Sequence, residues 1–177
     1  MIDLRKETEL ILGDFGHPIL LQRSSRKIRC SCWNELYQEA DSKCVLCNGI
    51  GWLVRIEKHL ARRQDASVAV TRPNRVQDTL VGDVMTGANM FFVQHHVHPA
   101  VQDIIYEIGW DAKNNPINII SVHEINSVEP ERGQRGRIEY YRVHTRLSGV
   151  NFIVKQIRPR KIGQETVYEF VHKGAER

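Results

Sequence analysis

Short runs in which apolar and polar residues alternate occur along most of the chain, and they predict β-strands because successive side chains on a strand point to opposite faces. In RIEYYRVHTR, Ile138 and Tyr140 share one face, whereas Tyr141 and Val143 share the other. Further strands are predicted at HPILLQR, WLVRIEKHLARR, SVAVTR, NMFFVQHHV, DIIYEIGW, NIISVHEI, NFIVKQI and TVYEFV. Short strands separated by turn residues predict a mainly β fold, a small antiparallel β-barrel or sandwich.

One short helix is predicted before the first strand, at residues 3–13. Asp3 can cap its N-terminus, because a carboxylate accepts hydrogen bonds from the free amides of the first turn. Leu4 and Ile11 lie on a common helical face. Gly13 provides a residue that adopts a left-handed conformation easily, so we expect the helix to stop there.

The 177 residues are 41% hydrophobic and 26% charged, which is typical of one globular domain with additions. We find no run near the roughly 18 apolar residues that a membrane-spanning helix needs. The first residues, MIDLRKETELILGDFG, carry acids and bases where a signal peptide would be apolar. We therefore expect a protein that is kept in a reducing cytosol.

All four cysteines lie in one short segment, as C-x-C, eleven residues and then C-x-x-C; they are Cys30, Cys32, Cys44 and Cys47. In a cytosolic protein such pairs are more often metal ligands than disulfides. An extended backbone points Cys30 and Cys32 the same way, and the glycines after CVLC allow the chain to fold closely around the sulfurs. Four thiolates would close a tetrahedral site, so we predict one structural Zn²⁺.

Two other interpretations of the cysteines are four free thiols in a loop and an iron–sulfur cluster, although C-x-C is not a usual cluster spacing.

With a zinc finger inserted, the chain divides into an N-terminal helix and first strand (1–28), the finger (29–52), a β-barrel domain (53–160) and a C-terminal tail (161–177). Within that division RPRKIG is predicted as a basic tail, and the polar segment 62–80 as a long connecting arm.

Motifs for catalysis are not found, and we predict that the protein is not an enzyme. The sequence has no phosphate-binding glycine loop, no H-E-x-x-H and no G-x-S-x-G. HEIN, residues 123–126, begins like a zinc protease motif but is followed by Ser127 rather than by histidine. His95, His96 and His98 could chelate a metal if they shared a strand face, but surface histidines on strands are common.

The net charge is +4 and the pI about 9, with basic residues concentrated in a few segments. ERGQRGR is predicted to be an exposed loop whose arginines, Arg132, Arg135 and Arg137, can face phosphates. Solvated loops of a protein with no nucleic-acid partner would have the same composition. Aromatic residues make up 7%, too few for a base-stacking surface, so sequence-specific reading of nucleic acid is not expected.

Three segments follow one another in a distinctive order: LRKETELILGDFGHPILLQR, then CSC with CVLCNGIGW, then GDVM with FFVQHHVHPAVQDIIYEI. Over residues 2–160 this order resembles the small head-closure, or head-to-tail connector, proteins in the neck of tailed bacteriophages. In some of these a helix precedes a small β-barrel, a C-x-C…C-x-x-C-x-G-x-G finger is inserted near the start, and a late P-x-x-x-D-x-I marks the strand pair that closes the barrel. Here that element is PAVQDII, residues 99–105.

The cysteine pattern C-x-x-C-x-G-x-G is also similar to the zinc modules of DnaJ-type co-chaperones. Those proteins carry several such modules, whereas this chain has one, pairs it with C-x-C and has no HPD motif.

The resemblance to neck proteins implies a virion protein made in the host bacterial cytoplasm. It would form a homo-oligomeric ring between portal or adaptor proteins above and tail proteins below, with double-stranded DNA in the lumen and Arg132, Arg135 and Arg137 facing it. It implies no membrane and no small-molecule substrate. The alternatives are a tail terminator or baseplate protein, and a free zinc-ribbon nucleic-acid-binding protein.

Overall fold

The computed structural model describes residues 3–44, 46–47, 49, 51–65, 88–148, 154–162 and 165–172. These residues form one α-helix, α1 (Leu4–Phe15), a 3₁₀ turn at Gln134–Gly136 and eight β-strands. The strands are β1 (His17–Arg29), β2 (Trp52–Asp65), β3 (Ala88–Gln94), β4 (Ile104–Trp110), β5 (Pro116–Arg132), β6 (Ile138–Leu147), β7 (Val154–Ile162) and β8 (Glu165–His172).

Six of the strands close into an antiparallel barrel in the order β1, β4, β5, β6, β3, β2, because β2 pairs back with β1. The remaining hairpin, β7–β8, joins the edge of β2 where Glu57 lies opposite Val167. The prediction of a mainly β fold, a small antiparallel barrel with one short N-terminal helix, is confirmed.

The barrel has two apolar clusters, one inside and one outside, because strand side chains alternate between faces. On β1, Ile19 and Leu21 point into the barrel, whereas Leu20 points outward. The inner cluster also contains Ala61, Phe91, Val93, Val97, Ile105, Ile125, Tyr141 and Val143. The outer cluster lies against the β7–β8 hairpin and also contains Ile56, Tyr106, Ile108, Val122, Ile157, Tyr168 and Phe170. The hairpin therefore buries the outer face of β1 and β4.

Helix α1 begins as predicted and ends later than predicted. The Asp3 carboxylate accepts the Arg5 amide at 3.3 Å, which confirms the cap. The predicted stop at Gly13 is wrong, because the chain turns at Gly16 instead. There the amide N–H donates to the carbonyl of Leu12 at 3.0 Å, and a Cβ on Gly16 would lie 2.3 Å from that oxygen. The close approach of the chain, rather than a left-handed conformation, requires the glycine.

The strands near the C-terminus also differ from the prediction. Residues 158–162, expected as a basic tail, are the end of β7, since they pair with β8 along a continuous antiparallel ladder from Ile157 opposite Phe170 to Ile162 opposite Glu165. The predicted strand TVYEFV is confirmed as part of β8. The predicted strand SVAVTR and most of the predicted arm 62–80 lie outside the described residues, although 62–65 belong to β2.

A polar cluster lies inside one end of the barrel, around Glu107. Its carboxylate accepts hydrogen bonds from Arg63 at 2.8 Å and from Ser121, and it lies 3.2 Å from Nε2 of the fully buried His123. His17 approaches the other carboxylate oxygen at 3.4 Å. Burial alone would raise the pKa of Glu107, but the hydrogen bonds from the histidines and Ser121 and the charge of Arg63 outweigh it, so the pKa lies well below its ordinary value.

We predict that replacing Glu107 changes the pH dependence of stability. Folding lowers the pKa of Glu107, so its charged carboxylate contributes its full stabilisation at any pH above 4.5, the ordinary pKa of glutamate. As the pH falls below 4.5, this contribution is progressively lost. Glu107→Gln should lower the free energy of unfolding by roughly 2–3 kcal/mol at pH 7. The difference from wild type should be constant down to about pH 4.5 and then shrink. Urea denaturation from pH 7 to 3 measures it.

The matched control for Glu107→Gln is Glu129→Gln, because Glu129 is an exposed carboxylate that pairs with Arg142 at 3.5 Å on the outside of the barrel. This variant should stay within about 0.5 kcal/mol of wild type at every pH. Curves of Glu107→Gln and wild type that stay parallel below pH 4.5 would contradict the assignment.

Candidate metal centre

The four cysteines lie at the far end of the β1–β2 hairpin. The two strands pair from His17 opposite Ala61 to Ser24 opposite Val54, and again where Arg29 lies opposite Trp52. Between these points the register shifts, because β1 uses five residue steps where β2 uses two. β4 pairs with β1 from Ile19 to Gln22, so the hairpin continues past that pairing as an arm. We call residues 30–51, at the end of this arm, the cysteine module.

Within the cysteine module the four sulfurs converge on one point. Their Sγ atoms all lie within 4.8 Å of one another. The separations are 3.6 Å from Cys30 to Cys44 and 3.3 Å from Cys32 to Cys47. A disulfide would need about 2.05 Å, whereas four sulfurs around a tetrahedral Zn²⁺ at about 2.3 Å are about 3.8 Å apart. The geometry therefore fits one metal ion bound by all four thiolates.

Backbone hydrogen bonds hold both cysteine pairs in place. The Cys30 amide donates to the carbonyl of Gly51 at 3.0 Å, which ties the start of the cysteine module to its end. The Cys44 amide donates to the carbonyl of Asp41 at 3.0 Å, while the carboxylate of Asp41 accepts the Lys43 amide at 2.9 Å. The sequence predicts that both cysteine pairs face one point. These backbone hydrogen bonds hold the two pairs in that arrangement.

The glycines after the second pair are required by the backbone, as predicted. Gly49 and Gly51 have φ values of 78° and 80°, in the left-handed region that glycine adopts without strain. At Gly51 the space is also closed, since a Cβ would lie 2.4 Å from the Trp33 ring. A side chain at this position would displace Trp33 and the adjoining cysteine pair.

The surroundings of Cys32 disfavour its thiolate. Burial and hydrogen bonds with Cys47 and Cys44 raise the pKa of Cys32 to about 12. Cys30 and Cys47 are buried, while Cys32 and Cys44 are partly exposed. A bound dication would compensate the thiolate charges, and binding would release protons.

A stacked arginine attaches the cysteine module to the arm. The Arg29 guanidinium lies 4.0 Å from the centre of the Trp33 ring and 3.8 Å from that of the Trp52 ring. Cation–π contacts of this kind contribute roughly 0.5–2 kcal/mol each. Sequence reasoning missed this contact, although Trp33 directly after Cys32 and Trp52 five residues after Cys47 were its available signal.

The described residues contain no second group of histidine, cysteine or carboxylate side chains that could hold a metal. His95, His96 and His98 follow the end of β3 in a turn rather than sharing a strand face. His98 instead pairs through Nδ1 with the Tyr141 hydroxyl at 2.7 Å.

Ser121, His123 and Glu107 are the residue types of a hydrolytic triad, but their arrangement differs from one. Both Ser121 and Glu107 contact the same imidazole nitrogen, Nε2, at 2.8 and 3.2 Å. In a triad the carboxylate binds Nδ1 while the serine faces Nε2. Here Nδ1 faces the side-chain amide of Asn89 at 3.5 Å. The three side chains therefore do not have the connectivity of a triad.

The three arginines predicted to face DNA lie around the tip of the β5–β6 hairpin, and all are exposed. Arg132 donates to the carbonyl of Gly136 at 2.8 Å, and Arg135 adopts a left-handed conformation in the 3₁₀ turn. Arg137 donates to Asp3 and Glu139, each at 3.0 Å, so it links the helix cap to β6. Two of the three guanidinium groups, those of Arg132 and Arg137, thus make local contacts.

No family model and no curated protein matches this chain. Among the described residues, no helix combines the length and the apolar character needed to cross a membrane. The function must therefore be argued from the cysteine module and the barrel that carries it.

We predict that the cysteine module binds one metal ion per chain and loses its fold without it. Cys44→Ser/Cys47→Ser removes two of four ligands, so elemental analysis of reduced protein should fall from about one zinc per chain to none. Tryptophan fluorescence should report the loss of order around Trp33 and Trp52, while the far-UV signal of the barrel persists. Metal-free wild-type protein with an ordered module would contradict this prediction, and an iron content with visible absorbance would indicate a cluster instead.

Substitution of Gly51 tests the local geometry independently of the ligands. Gly51→Ala should weaken metal retention in a chelator competition, because the left-handed backbone and the Trp33 ring both oppose a side chain. Gly13→Ala is the matched control, since a Cβ there meets nothing within 4 Å and alanine favours a helix by about 1 kcal/mol. Equal metal retention in both variants would show that the predicted crowding at Gly51 is absent.

Proposed function

We propose that this protein is a structural virion protein of a tailed bacteriophage. It acts in the neck as a head-closure or connector subunit that forms a ring, joins the portal to the tail and retains the packaged DNA. The observation that carries the proposal is a four-thiol module on an arm that extends past the β1–β4 pairing of a small closed barrel. The sequence order that resembles neck proteins supports it.

The metal we propose is a single Zn²⁺ with a structural role. Four thiolates leave no open coordination position for a substrate or a water, and zinc prefers such a tetrahedral sulfur set. The cysteine module has few apolar side chains to bury, so metal binding supplies folding free energy that a core would otherwise supply. A rigid module at the end of an arm is suited to contact with a neighbouring protein.

The partners that we propose are further copies of the chain in a ring, portal or adaptor proteins on one side and tail proteins on the other. Double-stranded DNA would pass through the lumen without sequence-specific contacts. Arg132 and Arg135 are exposed at the tip of the β5–β6 hairpin and can face its phosphates. The protein would be made in the cytoplasm of the host bacterium, act in the virion and catalyse no reaction.

Deleting the gene from the phage that encodes this chain tests the proposal. Heads should then package DNA but lose it and fail to join tails, and wild-type protein supplied in trans should restore infectious particles. Cys44→Ser/Cys47→Ser should fail to restore them, whereas Glu129→Gln, an exposed change on the barrel, should succeed. Normal tailed, DNA-filled particles from the deletion would overturn the proposal.

The DNA contact has its own test within the restored particles. Arg132→Gln/Arg135→Gln keeps the Arg137 contacts to Asp3 and Glu139, so it changes charge without loosening the helix cap. We expect particles that assemble but release more DNA on dilution into low-magnesium buffer. Unchanged DNA retention would show that this hairpin does not face the lumen. Salt-dependent binding of duplex DNA by the isolated monomer would favour the nucleic-acid-binding alternative.

A further inference from the structure

The cysteine module presents an apolar tip to solvent. Leu36 and Tyr37 are 81% and 70% exposed, although both are large apolar side chains. The tip is nevertheless held in shape, because the side-chain oxygen of Asn34 accepts the amides of Leu36 at 2.9 Å and Tyr37 at 3.3 Å. Asn34 also bridges to Glu39 through the backbone. A fixed, exposed apolar turn is a surface suited to insertion into another molecule.

A concave apolar surface lies at the other end of the β1–β2 hairpin, between α1 and the barrel. It has a volume of about 270 Å³, is open to solvent on one side, and has a lining that includes Leu4, Glu7, Ile11, Arg62, Phe92 and Tyr140. Leu12 is the one residue of α1 that the barrel buries, so Leu4 and Ile11 stay partly exposed above Phe92 and Tyr140. We call this surface the helix groove. Since a cavity of about 150 Å³ already binds benzene, the helix groove has room for a phenol ring or a leucine.

The tip and the helix groove cannot meet within one molecule. The helix leads directly into His17 at the start of β1, and the cysteine module follows Arg29 at its end. On the paired strand β2, nine residue steps from Ala61 to Trp52 separate these ends by about 30 Å. On β2, Arg62 lies at the helix groove and Trp52 beside the cysteine module. A contact between two such different surfaces on two copies is head-to-tail, and it generates a ring when its rotation closes.

The acidic tip and Arg62 of the helix groove carry opposite charges. Residues 34–43 carry three exposed carboxylates and one lysine in a chain whose net charge is +4. Glu35 directly precedes Leu36, and Glu39 follows Tyr37 after one residue. The helix groove is lined by one acid, Glu7, and one base, Arg62. Arg62 is exposed and, among the described residues, forms an ion pair with no carboxylate; its guanidinium lies 6.0 Å from the centre of the Phe15 ring. A docked tip would place acids beside this arginine.

We infer that the tip of one copy, Leu36 and Tyr37, docks in the helix groove of the next copy. This inference rests on the proposed function for the statement that the copies form a ring, and it names the two surfaces that make the ring contact. The metal enters indirectly, because it holds the cysteine module that displays the tip. The tip contact is small, so the isolated chain should associate weakly, at concentrations up to about 1 mM.

The experiment mixes two variants, each of which keeps one of the two surfaces. The mixture associates only if the tip of one copy binds the helix groove of another. Leu36→Ser/Tyr37→Ser removes the tip and keeps the helix groove, whereas Ile11→Glu places a charge in the helix groove and keeps the tip. Sedimentation velocity should show wild type associating, each variant weakened at least about ten-fold, and their mixture limited to one-to-one dimers. Leu10→Glu is the matched control, because Leu10 is exposed on the same helix and does not line the helix groove; it should associate like wild type.

A second measurement, cross-linking, tests the same contact without the tip and helix-groove substitutions. A benzophenone side chain at position 37 of the otherwise wild-type chain should cross-link, on illumination, to α1 or β3 of another copy. Charge reversal should agree with it: Arg62→Glu should weaken association, and Glu35→Arg/Glu39→Arg on the partner should restore it.

The inference is overturned by a wild type that stays monomeric and uncross-linked at about 1 mM. It is also overturned by unaltered association of both variants, or by a Leu10→Glu effect equal to that of Ile11→Glu. Association that persists in both variants with cross-links elsewhere would reject these surfaces and leave the ring itself intact. The gene deletion decides the neck function separately, so the two proposals can fail independently.

Discussion

The pairing of β1 on both of its edges is the constraint on which the rest of the structure depends. β2 pairs with one edge and β4 with the other, and this closes the barrel. Because β1 alternates Ile19, Leu20 and Leu21, it contributes to the inner and the outer apolar cluster at once. The length of β1 then separates the helix at its start from the cysteine module at its end. Closure, core and the placement of both candidate interaction surfaces thus follow from a single strand.

The barrel and the cysteine module are stabilised by different kinds of interaction. The barrel buries two apolar clusters and a polar cluster whose central carboxylate, Glu107, is satisfied by Arg63, Ser121 and His123. The cysteine module has the Arg29 stack and a few backbone hydrogen bonds, so a metal bound by the four thiols would be its main source of folding free energy. Loss of the metal would therefore change what the arm presents without unfolding the barrel.

This division matters for the proposed neck function. A subunit of a ring must offer surfaces that fit its neighbours and must remain folded before it meets them. A barrel with its own apolar core suits the second requirement, and the exposed Leu36 and Tyr37 at the tip suit the first. Exposed apolar residues at both ends of the β1–β2 hairpin would be a solubility cost to a protein that acts alone, but they are expected where copies pack together.

The sequence by itself determined the strand pattern, the Asp3 cap, the alternation of β6 and the set of four cysteines, because each depends on periodicity or spacing over a few residues. It did not determine the end of α1, since either Gly13 or Gly16 could end a helix and only the close approach of the chain to Leu12 singles out Gly16. Nor could it show that residues 158–162 extend β7, that Glu107 meets His123 and Arg63, or that Arg137 binds Asp3. Those contacts join residues far apart in the chain, so only the tertiary structure, by closing the barrel and pairing its strands in register, decided them.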